Sequence, residues 1–552
     1  MSHLADTLFR PSITWLLLFF AILLPTSIGS AQTQVLPVDA AVPYSTDATD
    51  ATKKIDEQIL KGLQQSQLAF APECSDEEFV RRIYLDLTGR IPTLEQLDQF
   101  LSDSNSDKRN RLIDELLTSD THFEYFAAIF DTMLMGRKDR KIAERRKHGW
   151  HDYLKRVFAE NRPWNQVVRE ILLARGEGPQ RGHLWFLYER ENKHQEIAES
   201  VAKSFFGVDI ACAQCHDHLV AQEIKQAHYW GLVGFFRRST NVQTENGIGI
   251  AESAIGGFDD YANPLLGTTE KLSLSFLLRE DVEEPRPEDP AQQDDNESLY
   301  VVVAGEPKVP LFSRREKFVE EIVEDHPLLA RAMVNRVWGL LLGRGLVHPI
   351  ERMDSTQQPS HPELLDWLAE DFRYHGYDIR RLVLAVVRSE TYQRSMSTAH
   401  ASSPDQSFAN ALAKPLTAEA YLQSLQVGLP FPPLVAESEK WRQLSSQWRK
   451  FFPEIIATND QASMDQALGL TNGPEFQSLL HEAAEVWLME TATLSNEERI
   501  QQAFRRLFGR HPEAEEQSHI VAYLDTRSDR AMAAWAQVFW TMVTSAEFRF
   551  NH

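Results

Sequence analysis

The chain has 552 residues, of which 43% are hydrophobic and 25% are charged, and it carries a formal net charge of −23. This is the composition of an ordinary globular protein, and the length is sufficient for two or three domains of about 100–200 residues each. The strong negative charge argues against nucleic acid as a partner, because binding to phosphate backbones depends on lysine and arginine.

Residues 1–31 have the three-part layout of a secretory signal peptide. Arg10 supplies a positive charge ahead of the compact apolar run Trp15–Leu24, and small residues follow this run. The run holds ten residues, whereas a transmembrane helix needs about twenty apolar residues. We therefore expect cleavage after Ala31, export to the periplasm or the medium, and no transmembrane span in the mature protein.

Residues 32–52 are rich in Ala, Thr, Asp and Pro without a hydrophobic period, which predicts a flexible leader. From 53 to 238, apolar residues recur at helical spacing and predict a helical domain. Capping boxes begin at Ser75 and at Thr93, and each predicts the start of a helix. Further helices are predicted at Lys108–Leu117, His122–Met135, Trp150–Glu160 and Trp164–Ala174.

Residues 239–312 differ in character, because they are rich in glycine and acidic residues. This composition predicts an irregular connection between two domains. Leu272–Leu278 and Leu299–Val303 have strand-like composition, and we expect them to pair as a small β ribbon. Between them, the run 281–290 is strongly acidic and is expected to remain solvated rather than packed.

Residues 313–552 return to helical spacing and predict a second helical domain. A helix at Ala330–Leu342 is expected to end at Gly343, and capping boxes at Ser360 and Ser495 predict two more helix starts. The predicted fold class is therefore mainly α, with two helical domains joined by a Gly-rich, acidic segment that contains a small β ribbon.

The chain contains only three cysteines, Cys74, Cys212 and Cys215. An exported protein of this size that depended on disulfides for stability would normally contain more of them. Cys74 lies directly before a predicted helix start and is expected to be a buried packing residue. Cys212 and Cys215 belong to a C-x-x-C-H motif that ends at His216, the most sharply defined chemical feature of the sequence.

Covalent haem attachment explains these residue types at this spacing. Two thiols three positions apart can each form a thioether with a vinyl group on one edge of the haem, and the histidine that follows reaches the iron. An exported protein is a suitable carrier, because covalent haem is attached after export. The predicted helix Glu196–Phe206 places the motif just beyond a helix end. Haem c is thus the expected cofactor, with Cys212 and Cys215 as its anchors and His216 as the proximal ligand.

Two other interpretations of the motif remain open. The two cysteines can close as a local disulfide in an oxidising compartment. Alternatively, the two cysteines, His216 and His218 include the ligand types that zinc prefers, with His218 as the additional metal ligand. Four ligands within seven residues crowd one another, however, whereas structural zinc sites usually draw on two separated pairs.

No methionine lies between Met135 and Met333, so a sixth iron ligand of that type is missing near the motif in the sequence. The nearer candidates are His183, His194 and His228. The sequence contains no nucleophile elbow, no His-Glu-x-x-His helix and no phosphate-binding glycine loop. It therefore indicates no hydrolase or transferase, and at most a redox protein.

Several segments resemble two families that occur together. In the first half they are Phe79–Thr93, Glu160–Trp164 and Gly207–His218; in the second half they are His326–Leu328, Val334–Trp338, Gly343–Val347, Pro359–Trp367 and Ser389–Tyr392. The first group resembles the planctomycete cytochrome-type domain of unknown function, and the second resembles its usual partner, the planctomycete secreted domain of unknown function. The resemblance covers most of the chain after about Ile55.

The resemblance implies export, a two-part helical protein and a C-A-Q-C-H-D-H core as a family hallmark. It implies no biochemical role. This chain departs from the family where Leu219 and Val220 follow the core in place of Pro and a Trp-containing segment. The Gly-x-Pro-Pro approach to the Ser-His-Pro helix is also replaced, by Gln357-Gln358-Pro359.

Two hypotheses follow. The first is an exported c-type haem protein that transfers electrons, with other exported redox proteins as partners. The second is a haem-free exported structural or binding protein with a disulfide or a metal ion at the motif, and with surface proteins as partners.

Overall fold

A computed structural model describes residues 47–137, 139–176, 181–289, 292–396, 403–431, 438–451, 455–456, 469–470 and 473–551. The predicted signal peptide and all but the end of the predicted leader lie outside these residues. Residues from Ala41 onward form one compact unit, so both predicted helical regions belong to it. Within the described part of the chain, no helix combines the length and apolar character needed to cross a membrane.

The mainly α prediction is confirmed. Before residue 239, the helices are α1 Thr49–Gln65, α2 Asp76–Thr88, α3 Leu94–Ser102, α4 Lys108–Leu117, α5 Asp120–Met135, α6 Asp139–Lys147, α7 Trp150–Ala159, α8 Trp164–Leu173, α9 Trp185–Tyr188, α10 His194–Val201 and α11 Gln226–Phe236. After residue 312, they are α12 Arg314–Lys317, α13 Pro327–Leu342, α14 Pro362–Tyr374, α15 Ile379–Val387, α16 Ala418–Gly428, α17 Glu439–Phe451, α18 Pro474–Glu490, α19 Asn496–Phe508, α20 Ala514–Asp525, α21 Ala531–Thr544 and α22 Ala546–Arg549.

Local capping signals explain many of the helix ends. The capping box of Thr93 and Gln96 is present at the start of α3, and the box that begins at Ser495 is present at the start of α19. Ser75 caps α2 by accepting a hydrogen bond from the backbone N–H of Glu78. Gly343 ends α13 in the left-handed conformation, as the sequence predicts.

The capping box predicted at Ser360 is wrong. Helix α14 begins at Pro362, and the capping position is His361, whose side chain makes no capping hydrogen bond. The hydroxyl of Ser360 lies 3.2 Å from Nδ1 of the His361 ring, and the backbone N–H of Ser360 donates to Leu346. The groups that would form the cap are therefore used by the preceding loop.

The predicted leader overlaps the first helix, because α1 begins at Thr49 rather than after residue 52. Ala51, Ile55, Ile59 and Leu63 form the buried stripe of this helix. This stripe packs against α14 and α15, and burial of apolar surface stabilises the helix there.

Four two-stranded antiparallel sheets lie within the described residues. They are β1 Ser239–Thr244 with β2 Gly247–Glu252, β3 Tyr261–Asn263 with β4 Thr268–Glu270, β5 Tyr300–Val301 with β6 Val309–Pro310, and β7 Lys414–Pro415 with β8 Phe550–Asn551. The β1–β2 hairpin turns through the two residues Glu245 and Asn246, since Thr244 already pairs with Gly247.

The ribbon predicted between Leu272–Leu278 and Leu299–Val303 is wrong, since the structure does not pair these segments with each other. The first segment packs instead on α11, where the glycines leave room for it. A Cβ atom at Gly231 would lie 2.5 Å from the Ser275 carbonyl oxygen, and one at Gly234 would lie 2.8 Å from Leu272. Contact with a helix therefore buries the apolar run.

The acidic run 281–290 is packed at Glu284, contrary to the prediction that it remains solvated, and a second carboxylate of the connection, Glu252, is also buried. Glu284 forms ion pairs with Arg238 and with Arg314, whose side chain is fully buried. Glu252 accepts hydrogen bonds from the hydroxyl of Ser313 and the backbone N–H of Arg314. Buried carboxylates require such compensation, and the sequence places these arginines far from the glutamates along the chain.

A buried polar cluster joins the first helices to the second half. The carboxylate of Asp86 on α2 accepts hydrogen bonds from Lys414 Nζ at 2.6 Å, Tyr392 Oη at 2.8 Å and Asn551 Nδ2 at 2.7 Å. The guanidinium of Arg82, one turn earlier, donates to the backbone oxygen of Tyr392 at 2.6 Å. The two sequence halves thus share one hydrogen-bonded core.

Candidate functional site

The C-x-x-C-H motif lies just beyond a helix that changes geometry at its end. Helix α10 continues as a π-helical turn over Ala202–Phe206, and Gly207 ends this turn in the left-handed conformation with φ 67°. A 3-10 turn follows at Ala211–Gln214 and carries Cys212. The predicted helix over residues 196–206 is therefore present, with its last turn widened.

The two motif cysteines are free and exposed. Between them, Ala213 is fully buried, and its backbone N–H donates to the oxygen of Ile210 at 2.9 Å. The buried alanine anchors the turn, so the flanking thiols lie at the surface. Cys74 is buried, as the sequence predicts, and burial raises the pKa of its thiol.

The ring of His216 is held by its own loop. Its Nδ1 lies 2.7 Å from the backbone oxygen of Asp217. A carbonyl oxygen can only accept a hydrogen bond, so Nδ1 carries the proton and the lone pair is on Nε2. This is the arrangement that usually orients a metal-binding histidine, since a hydrogen bond at one ring nitrogen fixes the other as the ligand.

His218 has the opposite arrangement. Its Nδ1 accepts hydrogen bonds from the backbone N–H groups of Ala221 at 2.8 Å and Val220 at 3.2 Å. Because the Nδ1 lone pair is used, the proton of the neutral ring is on Nε2. His218 therefore acts as a cap of its own loop. The described residues contain no group of three or more His, Cys, Asp or Glu side chains arranged to hold a metal ion.

Helix α11 supports the motif from one side. The backbone oxygen of Gln214 accepts hydrogen bonds from Gln226 Nε2 at 3.2 Å and from Trp230 Nε1 at 3.1 Å. The carboxylate of Asp217 accepts from the first N–H of this helix at 2.9 Å and forms an ion pair with Lys225. The sequence patterns do not predict this role of Gln226 and Trp230, although an indole that follows a C-x-x-C-H core is a usable signal.

Two large apolar side chains stand in solvent directly after the motif. Leu219 is 78% exposed and Val220 is 67% exposed. Exposed aliphatic side chains cost little singly, but two of them beside a chemical site favour contact with an apolar group. These two side chains therefore place apolar surface next to the motif.

The three histidines considered as sixth ligands each form a hydrogen bond through a ring nitrogen. Nε2 of His183 donates to the Arg175 oxygen at 2.8 Å, and Nε2 of His194 donates to the Ser239 oxygen at 2.9 Å. His228 lies in the first turn of α11, where its Nδ1 accepts from the Lys225 N–H at 3.2 Å. Burial lowers the pKa values of both His183 and His228. Of the three, His228 belongs to the helix that packs on the cysteine turn.

Comparison with protein families finds matches in two separate stretches of the chain. Residues 54–241 match PSCyt2, a family described as a protein of unknown function (DUF1549), and these residues include the whole motif. Residues 314–427 match PSD1, also described as a protein of unknown function (DUF1553). No curated protein and no solved structure matches the chain. The chain therefore contains a PSCyt2 region at residues 54–241 followed by a PSD1 region at residues 314–427.

Proposed function

We propose that this protein is an exported c-type haem protein that transfers electrons to or from other exported redox proteins. Cys212 and Cys215 form the thioether bonds, and His216 is the proximal iron ligand. Haem, when bound, supplies a one-electron redox centre.

The single observation that carries the proposal is the state of the three motif side chains. Both thiols are free and exposed on one short turn, and His216 offers its Nε2 lone pair while Nδ1 is held by the Asp217 carbonyl. Free thiols are required, because each S–H adds across a vinyl double bond: sulfur bonds to one carbon and the hydrogen goes to the other. No oxidant or reductant is consumed in this addition.

The surroundings also suit a haem group. Leu219 and Val220 provide apolar surface for the macrocycle beside the histidine. Trp230 and Gln226 hold the Gln214 carbonyl and thereby keep the cysteine turn in place. Because both thiols are exposed, a haem attached to them would be accessible to a docked redox partner.

Export is part of the same proposal and is supported by the signal-type segment at residues 1–31. The test is direct: the full gene is expressed in a bacterium with haem-attachment machinery, the cells are fractionated, and the mature amino terminus is sequenced. We expect a periplasmic or secreted protein cleaved after Ala31. Recovery of the intact signal segment in the cytoplasm contradicts export.

The second candidate is a haem-free exported structural or binding protein. It is favoured by one feature, namely that two exposed thiols on one turn can be oxidised to a local disulfide. A metal ion held with the help of His218 is a weaker form of this candidate, because the Nδ1 lone pair of that ring already accepts two backbone hydrogen bonds.

One experiment separates the candidates. The protein is purified from the same host, and its absorbance spectrum and intact mass are measured after denaturation. We expect a Soret band and the mass increment of one haem, with loss of covalent haem in the double variant C212S/C215S and retention in C74A, which removes the buried cysteine. A protein with no Soret band and no haem increment overturns the proposal. In that case, alkylation of Cys212 and Cys215 only after treatment with a reductant shows that they form a disulfide.

A further inference from the structure

A loop from the PSD1 half of the chain lies against both flanks of the cysteine motif. Residues 350–356, here called the clamp loop, connect the turn after α13 to the start of α14. They follow the first half by more than a hundred positions in the sequence. The motif segment, residues 207–223, is therefore held between a helix of its own half and a loop of the other.

On the amino-terminal flank, the contacts are made by backbone. The N–H of Met353 donates to the Gly207 oxygen at 2.9 Å, and Arg352 forms an antiparallel bridge with Val208. A Cβ atom at Gly207 would lie 3.1 Å from the Met353 side chain and 3.2 Å from Ala332. The first contacts of the clamp loop are therefore with the residues directly after the π-helical turn.

On the carboxyl-terminal flank, a side chain completes the contact. The carboxylate of Glu223 accepts the backbone N–H of Ser355 at 2.6 Å and the Ser355 hydroxyl at 2.8 Å. Burial raises the pKa of Glu223, but the hydrogen bonds from Ser355 outweigh it, so the pKa is lowered overall. Both oxygens of one carboxylate therefore bind one residue of the clamp loop.

Hydrogen bonds within the clamp loop, and others from α13 to the π-helical turn, accompany these contacts. The carboxylate of Asp354 accepts the Thr356 N–H at 2.9 Å and Nε of Arg352 at 3.0 Å. From α13, the buried side chain of Arg336 donates to the backbone oxygens of Ser204 at 2.7 Å and Lys203 at 3.1 Å. These bonds satisfy carbonyl groups of the π-helical turn, so the second half also fixes the element that precedes the motif.

We propose that Glu223 and Ser355 are positioning residues, through which the clamp loop of the PSD1 half holds the C-x-x-C-H turn of the PSCyt2 half in its binding geometry. The loop presents the two thiols and His216 in a preformed arrangement, so the PSCyt2 half needs the PSD1 half for its chemistry. The part of this inference that concerns haem rests on the proposed function; the ordering of the motif does not.

The test compares three substitutions in the full-length protein. E223A removes both hydrogen bonds between the Glu223 carboxylate and Ser355. S355A removes only the hydrogen bond from the Ser355 hydroxyl, and S355T keeps a hydroxyl and a backbone N–H as donors. The matched control is D56A, because Asp56 accepts the backbone N–H of Thr391 and its hydroxyl, each at 3.0 Å, in another contact between the halves.

Two measurements are made without haem: hydrogen exchange of peptides that cover residues 208–222, and the alkylation rate of Cys212 and Cys215 under reducing conditions. The protected N–H groups in this stretch include Ala213 and His218. We expect E223A to speed their exchange roughly tenfold or more, as loss of hydrogen bonds to a charged group predicts. S355A should have a smaller effect, and S355T and D56A should match the wild-type protein in this stretch.

Unchanged exchange and alkylation in E223A overturn the inference, and so does an equal change in D56A, which would indicate general destabilisation. In haem-loaded protein, we expect the fraction with covalent haem and the midpoint potential to change most in E223A and less in S355A. Both quantities should stay at the wild-type values in S355T and D56A. If wild-type protein attaches no haem, the proposed function fails, while exchange and alkylation still decide whether the clamp loop positions the motif.

Discussion

Substitution of Asp86 tests the buried cluster that joins the two halves of the chain. In D86A, the largely buried ammonium of Lys414 loses its carboxylate partner, and Tyr392 and Asn551 lose an acceptor. Removing one member of a buried ion pair typically costs about 3–5 kcal/mol, because the remaining charge is left desolvated. We expect D86A to reduce the free energy of unfolding by this amount.

The double variant D86A/K414M distinguishes two costs of the D86A substitution. One is the cost of leaving the Lys414 charge buried without a partner, and the other is the cost of the lost hydrogen bonds to Asp86. Apolar replacements of a buried ion pair are often close to neutral, so we expect the double variant to lose less than about 2 kcal/mol. The free energies are obtained from urea unfolding followed by tryptophan fluorescence and circular dichroism. E321A, which breaks an exposed ion pair with Lys317, serves as the control and should change stability by less than about 0.5 kcal/mol. The reasoning is refuted if D86A costs no more than the control, or if K414M fails to recover stability in the D86A background.

Three further outcomes are expected. Burial lowers the pKa values of His122 and His326 to about 4, below the 6.5 of an unfolded histidine, so only the unfolded state gains protons as pH falls from 6.5 towards 4. The free energy of unfolding should have its full value above pH 6.5 and should be lower by up to about 3 kcal/mol per histidine at pH 4. Urea unfolding midpoints measured across this pH range test the expectation, and in H122Q the midpoints should depend less on pH. G207A places a side chain at φ 67° in a crowded position and should cost about 1–3 kcal/mol in the same unfolding assay, against a smaller change in G176A, whose φ is not positive and whose added Cβ would meet no atom closer than 3.4 Å. N335A removes both hydrogen bonds between this buried amide and the Val347 backbone at 2.8 Å, and it should lower the melting temperature by an amount equivalent to about 2–4 kcal/mol; an unchanged melting temperature contradicts this role.

Helix ends were the most predictable part of the fold, because their signals lie within one turn of the chain. Thr93 and Gln96 form a complete capping box, and Gly509 ends α19 in the left-handed conformation. The failure at Ser360 has a tertiary cause, since its backbone is bound to Leu346 and its hydroxyl contacts a neighbouring ring. A local pattern predicts a cap only where no other group uses the same atoms.

The connection between the helical regions was harder to predict. An apolar run such as Leu272–Leu278 has the same composition whether a strand or a helix surface buries it. Here α11 buries it, because Gly231 and Gly234 allow close approach. Likewise, the burial of Glu284 depends on Arg314, thirty positions later, and no rule of local spacing brings these two side chains together.

For the candidate site, the sequence alone determined which chemical groups are present and in what order: two thiols three positions apart and an imidazole directly after them, beyond the end of a helix. The order of residues along the chain is enough to establish which groups are present and how they are spaced. Only the tertiary structure decided which nitrogen of His216 carries the proton, that His218 caps its own loop, and that Ser355 binds Glu223 across 132 positions of chain. The histidine bonds are local, and they depend on the backbone conformation that the folded loop adopts, whereas the Glu223–Ser355 bonds form only when the two halves have folded against each other.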